Sequence, residues 1–203
     1  MLKQLTLLPL LLLSLLAHAQ SNLDQKLGNH RFRFIGPEGN RAIAVAGVPG
    51  DPMINYIGAA SGGLWKTDDG GINWRPIFDD QDISSIGSVA LAPSNPDQVW
   101  VGTGETFLIR PAHAMGNGIY FSPDAGQTWE HKGLENTGRI GHILVHPTNP
   151  KIVYAAALGH TYGPQQERGV YRTKDGGNTW ERVLFIDEGT GASDLAIDPE
   201  NPN

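Results

Sequence analysis

The sequence predicts an all-β protein built from repeated four-stranded sheets. Two short motifs each recur with a period of about fifty residues, and each period divides into four apolar segments separated by turn residues. The composition includes 26 Gly and 14 Pro among 203 residues, which suits short strands joined by tight turns and would interrupt a helical domain repeatedly. Small sheets that repeat at this period are typical of a β-propeller.

The first residues differ from the rest of the chain. Lys3 supplies a positive charge, residues 5–16 are mainly apolar, and Ala17 and Ala19 form a small-x-small pattern. This arrangement is typical of a secretory signal peptide, so we expect residues 1–19 to be removed by cleavage after Ala19. The apolar run is shorter than the roughly 20 residues that span a bilayer. We therefore expect a secreted or periplasmic protein without a transmembrane segment.

The chain after this leader is acidic and contains no cysteine. Its 15 Lys and Arg become 14 once Lys3 is removed, against 21 Asp and Glu, which makes nucleic acid an unfavourable partner. Without cysteine there is no disulfide framework, so packing must provide the stability. Residues 102–104 have phosphate-loop glycines but lack the lysine of that motif, and His142 and His146 are expected near opposite ends of one strand. No cofactor and no metal are expected.

One motif, S/T-x-D-x-G-x-T-W with Asn in place of Thr in its first copy, occurs three times. Its copies occupy residues 67–74, 122–129 and 173–180, and their aspartates are 55 and 51 residues apart. We expect a hairpin between the third and fourth strands of each unit, in which the carboxylate accepts backbone N–H groups and a glycine takes positive φ. The final tryptophan would then pack between adjacent sheets. The predicted structural residues are Asp69, Trp74, Asp124, Trp129, Asp175 and Trp180.

A second motif, P-x-N-P, keeps nearly the same period. It begins at Pro93, Pro147 and Pro199, with spacings of 54 and 52 residues, and a degenerate copy occupies residues 49–52. Because Pro presets φ and Asn bonds readily to its own backbone, this motif predicts a reversal between the first and second strands of each unit. In the third unit the predicted strands are residues 141–146, 152–158, 169–173 and 179–184.

These markers divide residues 20–203 into blades at approximately 34–80, 84–135 and 139–186, with the next blade starting at 191–203. About three and a half blades would leave sheet faces and edges open to water. We therefore expect an incomplete propeller, a fragment whose remaining blades come from sequence beyond Asn203. The alternative is a ring assembled from several copies of the chain.

The chain resembles the Asp-box or BNR-repeat propellers, in particular the sortilin-like (VPS10) group and more distantly the xyloglucanase-like glycosidases. The resemblance covers residues 31–203. It is carried by RFIGP at 33–37, GAASGGLWKT at 58–67, VGTGE at 101–105 and ERGVYRT at 167–173. It implies a propeller fold, and functions that range from ligand binding and assembly to glycoside hydrolysis.

Strand direction predicts which residues share a surface. The starts of the first strands and the loops between second and third strands should emerge together, at what we call the loop-bearing end, opposite the P-x-N-P turns. The long loop at residues 102–118 belongs there, and long loops on a rigid scaffold concentrate binding residues. The alternative is that its charges only order the loops. The candidate ligand-binding residues are Arg41, Glu105, Arg110, His113, Arg139, Glu167 and Arg168.

Two functions remain open. One is an exported binding or scaffold module that recognises a peptide, a protein or a glycan. The other is a glycoside hydrolase, which needs two carboxylates across the scissile bond; Glu105, Glu167 and Asp194 are the candidates. The resemblance to xyloglucanases implies a first-blade aspartate at the position occupied here by Ala60. This difference counts against the xyloglucanase branch of the hydrolase alternative.

Overall fold

The polypeptide forms three four-stranded antiparallel sheets, and each sheet is made by consecutive strands of the chain. The computed structural model describes residues 41–107 and 113–202. Over these residues the helical content is a single 3-10 turn, Glu135–Thr137. The prediction of an all-β propeller type of fold is confirmed, since the strands alternate with tight turns at the predicted period.

The strands follow one another as simple meanders. Sheet 1 comprises β1 (Ala42–Val48), β2 (Asp51–Ala59), β3 (Leu64–Thr67) and β4 (Arg75–Pro76). Sheet 2 comprises β5 (Ile86–Ala92), β6 (Asn95–Thr103), β7 (Ile119–Ser122) and β8 (Glu130–His131). Sheet 3 comprises β9 (Ile140–Val145), β10 (Val153–Ala157), β11 (Gly169–Thr173) and β12 (Glu181–Leu184).

The first strand of every sheet carries the same irregularity. The pairing with the second strand skips one residue near the start of β1, β5 and β9, at Ile43, Gly87 and Gly141. A bulge of this kind bends the strand and increases its twist. It therefore turns the residues just before each first strand, among them Arg41 and Arg139, in an equivalent way.

The sheets pack face to face through their apolar side chains. The first strands β1, β5 and β9 contact one another in succession. The core between sheets 1 and 2 includes Tyr56, Leu64, Phe78, Ile86 and Val99. The core between sheets 2 and 3 includes Trp100, Ile119, Ile140, Ile143 and Val153. Because sheet 2 is covered on both faces, its strands β5 and β6 are mostly buried and show little period-2 alternation.

Two tryptophans bridge successive sheets in the same way. Nε1–H of Trp129 donates to the carbonyl of Ile77 at 2.7 Å, and its ring meets Phe78 edge to face. Nε1–H of Trp180 donates to the carbonyl of Lys132 at 2.7 Å, and its ring meets Trp100 edge to face. Each indole thus buries apolar area while its one donor is satisfied by the preceding blade. For Trp74 the equivalent partner would precede Arg41, outside the described residues.

Several predictions from the sequence fall outside the described residues. These are the signal peptide at residues 1–19, the RFIGP segment at 33–37 and Arg110. After Leu184 the described chain has no strand, although the N–H of Ala192 donates to the carbonyl of Ala157 at 3.0 Å. No helix within the described ranges has the length and apolar character required to cross a bilayer.

Candidate functional site

The repeated aspartates are part of the scaffold. Oδ1 of Asp124 accepts the N–H groups of Gln127 at 3.0 Å and Thr128 at 2.8 Å, and Oδ2 accepts the Thr128 hydroxyl at 2.6 Å. The pKa of Asp124 is lowered to about 2, first by the Thr128 hydroxyl and next by the Thr128 N–H. Hydrogen bonds of the same kind lower the pKa of Asp69 and Asp175 to about 2. These carboxylates stay ionised, and their oxygens already accept hydrogen bonds within the turn, which makes them poor proton donors.

At the loop-bearing end, backbone hydrogen bonds join sheet 2 to its neighbours. The N–H of Gly63, in the loop of sheet 1, donates to the carbonyl of Ser84 at 2.8 Å, and the N–H of Gly116 donates to the carbonyl of Gly138 at 2.7 Å. The second bond joins the long loop of sheet 2 to the segment that leads into sheet 3. We call this contact, between the loop at residues 102–118 and the segment before β9, the seam. Side chains on its two sides are held by backbones that are hydrogen-bonded to each other.

Glu105 connects the long loop of sheet 2 to the segment that precedes sheet 1. Its side chain is fully buried and forms an ion pair with Arg41, whose side chain is 32% exposed. Its second carboxylate oxygen lies 3.4 Å from the N–H of Ala114. A buried charge is tolerated when it is paired and hydrogen-bonded. Glu105 thus ties the start of sheet 1 to the loop of sheet 2.

Arg139 and Arg168 lie together on the sheet 3 side of the seam. Arg139 is 4% exposed; its Nε–H donates to Gly159 O at 2.8 Å, and its Nη2 lies 3.4 Å from His160 O. Arg168 donates to His160 O at 3.2 Å and to Gly163 O at 3.1 Å. Burial, and then the charge of Arg168, lowers the pKa of Arg139. The two guanidinium groups are therefore held close together by a shared carbonyl.

His113, on the long loop of sheet 2, lies next to the loop of sheet 3 that carries Arg168. Its Nδ1 lies 3.5 Å from the hydroxyl of Thr161, which follows His160 in the loop of sheet 3. Glu167, the residue before Arg168, accepts the Tyr171 hydroxyl at its backbone carbonyl at 3.1 Å. The structure thus brings His113 towards the loop that carries Arg168, while Arg41 and Glu105 form a separate pair.

Nδ1 of His142 and Oδ1 of Asp194 are hydrogen-bonded beside sheet 3. The hydrogen bond from His142 is the main cause of the lowered pKa of Asp194, followed by the N–H of Leu195. This pair links β9 to the segment after β12. Among residues 41–107 and 113–202, no three His, Asp or Glu side chains gather as a metal-ligating group.

Sequence reasoning missed the acceptors that orient the arginines. The carbonyl groups of Gly159, His160 and Gly189 hold Arg139 and Arg168, and backbone carbonyls have no side-chain signature. A partial signal exists in the sequence, which places a glycine, Gly159, directly after a predicted strand. In the structure this glycine has a φ of 83°. A positive φ at that position turns the chain so that the carbonyl of His160 is presented to both guanidinium groups.

The chain is similar in sequence to parts of two curated proteins. No protein-family model matches the chain. It is 30% identical over 143 residues to a probable oligoxyloglucan-reducing end-specific xyloglucanase of Neosartorya fischeri, which covers 68% of this chain and 16% of that protein. It is 27% identical over 156 residues to a xyloglucanase of a Paenibacillus species, which covers 70% of this chain and 14% of that protein. The chain therefore spans a small part of the curated relatives.

Solved structures share the fold at low sequence identity. An ancestral GH74 enzyme superposes with a TM-score of 0.56 and 22% identity, over 76% of this chain and 19% of that one. The GH74 xyloglucanase from Xanthomonas campestris superposes with a TM-score of 0.51 and 20% identity, over 71% of this chain and 21% of that one. YCF48 bound to D1 peptide superposes with a TM-score of 0.50 and 20% identity, over 77% of this chain and 44% of that one. These similarities support the propeller fold and leave the activity open.

Proposed function

We propose that this chain forms blades of an exported propeller that binds a peptide, protein or glycan ligand at its loop-bearing end. In this proposal residues 1–19 are a signal peptide, and the blades span approximately 34–80, 84–135 and 139–186, with the next from 191. The blades are of the Asp-box type and resemble those of sortilin-like propellers. Further blades would complete the ring.

The observation that carries the proposal is the seam between sheets 2 and 3. There, Arg139 and Arg168 are fixed by backbone carbonyls, and His113 approaches from the opposite loop. A rigid set of donors supplied by two blades is suited to recognition, because little side-chain freedom is lost on binding. The proposed ligand-binding residues are Arg41, Glu105, Arg110, His113, Arg139, Glu167 and Arg168.

A glycoside hydrolase is the second candidate, favoured by relatives named xyloglucanase. Two of its three candidate carboxylates have other partners. Glu105 is buried against Arg41, and Asp194 has a pKa lowered first by His142, which disfavours the role of general acid. Ala60, where the resemblance implies an aspartate, is fully buried. These features weigh against hydrolysis.

The test is a glycan and peptide array probed with the full-length protein, followed by affinity measurements on the ligand found. We expect Glu105→Ala and Arg110→Ala to weaken binding by about tenfold or more. The first removes the ion pair with Arg41 that positions the loop, and the second removes a charged hydrogen bond, which costs about 1.5–3 kcal/mol. Glu105→Gln, which keeps the side-chain volume, separates loss of the ion pair from misfolding. Arg75→Ala is the matched control, because Arg75 pairs with Asp68 beside an Asp-box turn.

Unchanged binding in all the Glu105 and Arg110 variants would remove the long loop from the site. The same preparations incubated with xyloglucan oligosaccharides address the second candidate. We expect no new reducing ends. Release of reducing ends that disappears in Asp194→Asn or Glu167→Gln would replace the binding proposal with the hydrolase.

A further inference from the structure

We propose that the outer face of sheet 3 holds a socket for the turn tryptophan of a further blade, the one that begins with the segment at residues 192–198. The outer face is the one turned away from sheet 2, and the socket is lined by Leu144, Tyr154, Val183 and Leu184. This inference rests on the proposed function, in which further blades complete the ring. It adds the surface and the side chain that join the next blade to this chain.

The first observation is the position of the indole acceptors. In each indole contact between sheets, the N–H donates to the third residue after the tryptophan of the preceding sheet, which is Ile77 in one contact and Lys132 in the other. The third residue after Trp180 is Val183. Val183 is skipped where β11 pairs with β12, and such an extra residue is left unpaired in the ladder. Its carbonyl thus occupies the position at which the next indole would find its acceptor.

The second observation is an uncovered apolar side chain. Leu184 has the position of Phe78, the fourth residue after the turn tryptophan, and Phe78 meets Trp129 edge to face. Leu184 is 52% exposed, whereas Phe78 is 2% exposed. The apolar residue at this position is therefore covered in sheet 1 and uncovered in sheet 3.

An aromatic ring borders the same surface. Tyr154 has the position that Trp100 has in sheet 2, since each pairs with the fifth residue of the first strand. Trp100 is buried and meets Trp180 edge to face. Tyr154 is only half-buried, and with Leu144 and Leu184 it lines an open cleft of about 410 Å³. The cleft therefore has an aromatic wall where the equivalent ring of sheet 2 contacts an indole.

The backbone after sheet 3 makes the bond that precedes a new blade elsewhere in the chain. The N–H of Gln165, in the loop between β10 and β11, donates to the carbonyl of Glu188 at 2.9 Å. The bond from Gly116 to Gly138 at the seam is of the same kind, because it joins the loop of sheet 2 to the segment before β9. Residues after sheet 3 are therefore held as residues after sheet 2 are held.

Packing between sheet 3 and this segment is matched in side-chain volume. Gly102 on β6 leaves room for Ile140, which lies seven residues before a P-x-N-P turn. Ala156 has the position of Gly102 on β10, since both pair with the third residue of the first strand. Seven residues before the last P-x-N-P turn lies the smaller Ala192, whose N–H donates to the carbonyl of Ala157 at 3.0 Å. The larger residue on the sheet is thus offset by a smaller one on the segment.

The same segment forms one wall of the socket, which identifies the occupant as the blade that this segment begins. Leu195, Ala196 and Ile197 line the cleft together with the side chains of sheet 3. The P-x-N-P turn at residues 199–202 follows directly. Strands after this turn are therefore tethered beside the socket at a high effective concentration, with which a second copy of the chain would have to compete.

The test compares the 203-residue chain with an extended chain in which residues 151–184 are repeated directly after Pro202. Because the turn at 199–202 is equivalent to the turn at 147–150, the repeat supplies the three remaining strands of a blade and a copied Trp180. We expect the copied indole N–H to exchange at least about tenfold more slowly than that of free tryptophan in NMR measurements. Leu184→Asp, made only in the original sheet 3, should abolish this protection because docking would bury its charge.

Leu184→Asp should leave the urea midpoint of the 203-residue chain unchanged, since Leu184 is exposed there. Ile72→Asp is the matched control, because Ile72 is 60% exposed on the turn of sheet 1, and it should keep the copied indole protected. A second measurement needs no added blade. N-acetyltryptophanamide titrated into the 203-residue chain should shift the NMR signals of Leu144 and Tyr154, and Leu184→Asp should remove the shifts. If the extended chain does not fold, absence of these shifts overturns the proposal.

In a folded extended chain, a copied indole that exchanges at the rate of free tryptophan would overturn the proposal, as would a Leu184→Asp variant without effect. Dimers of the 203-residue chain that Leu184→Asp dissociates in sedimentation would also overturn it, because the socket would then receive another copy. A ligand found on the array together with an unprotected copied indole would remove only this inference. An array without any ligand together with a protected copied indole would remove the proposed binding function and keep the socket.

Discussion

At the scale of single residues, the turn aspartates act as acceptors for a whole hairpin. In the second repeat, Ser122 Oγ donates to Asp124 Oδ1 at 2.8 Å and accepts the N–H of Gly126 at 2.8 Å. The carboxylate and hydroxyl together satisfy donors that a tight turn leaves without strand partners. Thr67 and Thr173 take the place of Ser122 in the other two repeats. The motif is therefore repeated for a structural reason.

These aspartates make stability depend on pH. The folded pKa of Asp124 is about 2, below the value of about 3.9 for an unfolded chain. A lowered folded pKa contributes stability that is complete above the unfolded pKa and is lost as the pH falls towards 2. We expect Asp124→Asn to destabilise the protein most above pH 4, with a difference from wild type that shrinks towards pH 2.

Urea unfolding followed between pH 2 and pH 6 measures this difference. Asp80→Asn is the control, because Asp80 is an exposed acid outside the Asp-box turns. It should leave the profile close to that of wild type. A constant difference between Asp124→Asn and wild type across the whole pH range would show that charge in the turn is unimportant.

At the scale of strands, close approach of sheets depends on small residues in β2 and β6. A Cβ atom added at Gly102 would lie 2.5 Å from Cγ2 and 2.7 Å from Cβ of Ile140, the first residue of β9. Gly58 on β2 has the equivalent relation to Ile86 at the start of β5. Sheets 1 and 2 therefore each accommodate the first isoleucine of the next sheet against a glycine backbone.

We expect Gly102→Ala to destabilise the protein by about 1–3 kcal/mol, the usual cost of overpacking a core. The nearby atoms belong to a β-branched side chain at a strand start, which cannot move aside easily. Urea unfolding at neutral pH measures the change. Gly189→Ala is the control, because a Cβ there would meet only Asp187 Oδ1 at 3.3 Å. A change below about 0.5 kcal/mol in Gly102→Ala would contradict this account of sheet packing.

At the scale of the whole molecule, periodicity was enough to predict the fold. Asp and Trp at fixed positions, with P-x-N-P between them, located the turns, and the apolar segments between turns became strands. The bulges at Gly87 and Gly141 left no comparable signal, because both glycines also fit an ordinary strand. The loop-bearing end was predicted from strand direction alone. The sequence could not predict which side chains pair at this end, because paired residues such as Arg41 and Glu105 are 64 residues apart.

The seam between blades is also where the proposed function lies. Sheet 2 contributes His113 and sheet 3 contributes Arg139 and Arg168, so the spacing of the two sheets sets the spacing of the donors. The roles of these residues stay predictions. They depend on one structural claim, that sheets 2 and 3 are each joined to the preceding sheet through the same partly buried indole contact.

Hydrogen–deuterium exchange of the tryptophan indole N–H groups, resolved by NMR, tests that claim most directly. The indoles of Trp129 and Trp180 donate to Ile77 and Lys132 at the same distance, 2.7 Å, across successive sheets. We expect both N–H groups to exchange slowly and to become labile together when the sheets separate in urea. Rapid exchange of either indole under native conditions, at the rate of free tryptophan, would contradict a repeated contact between blades.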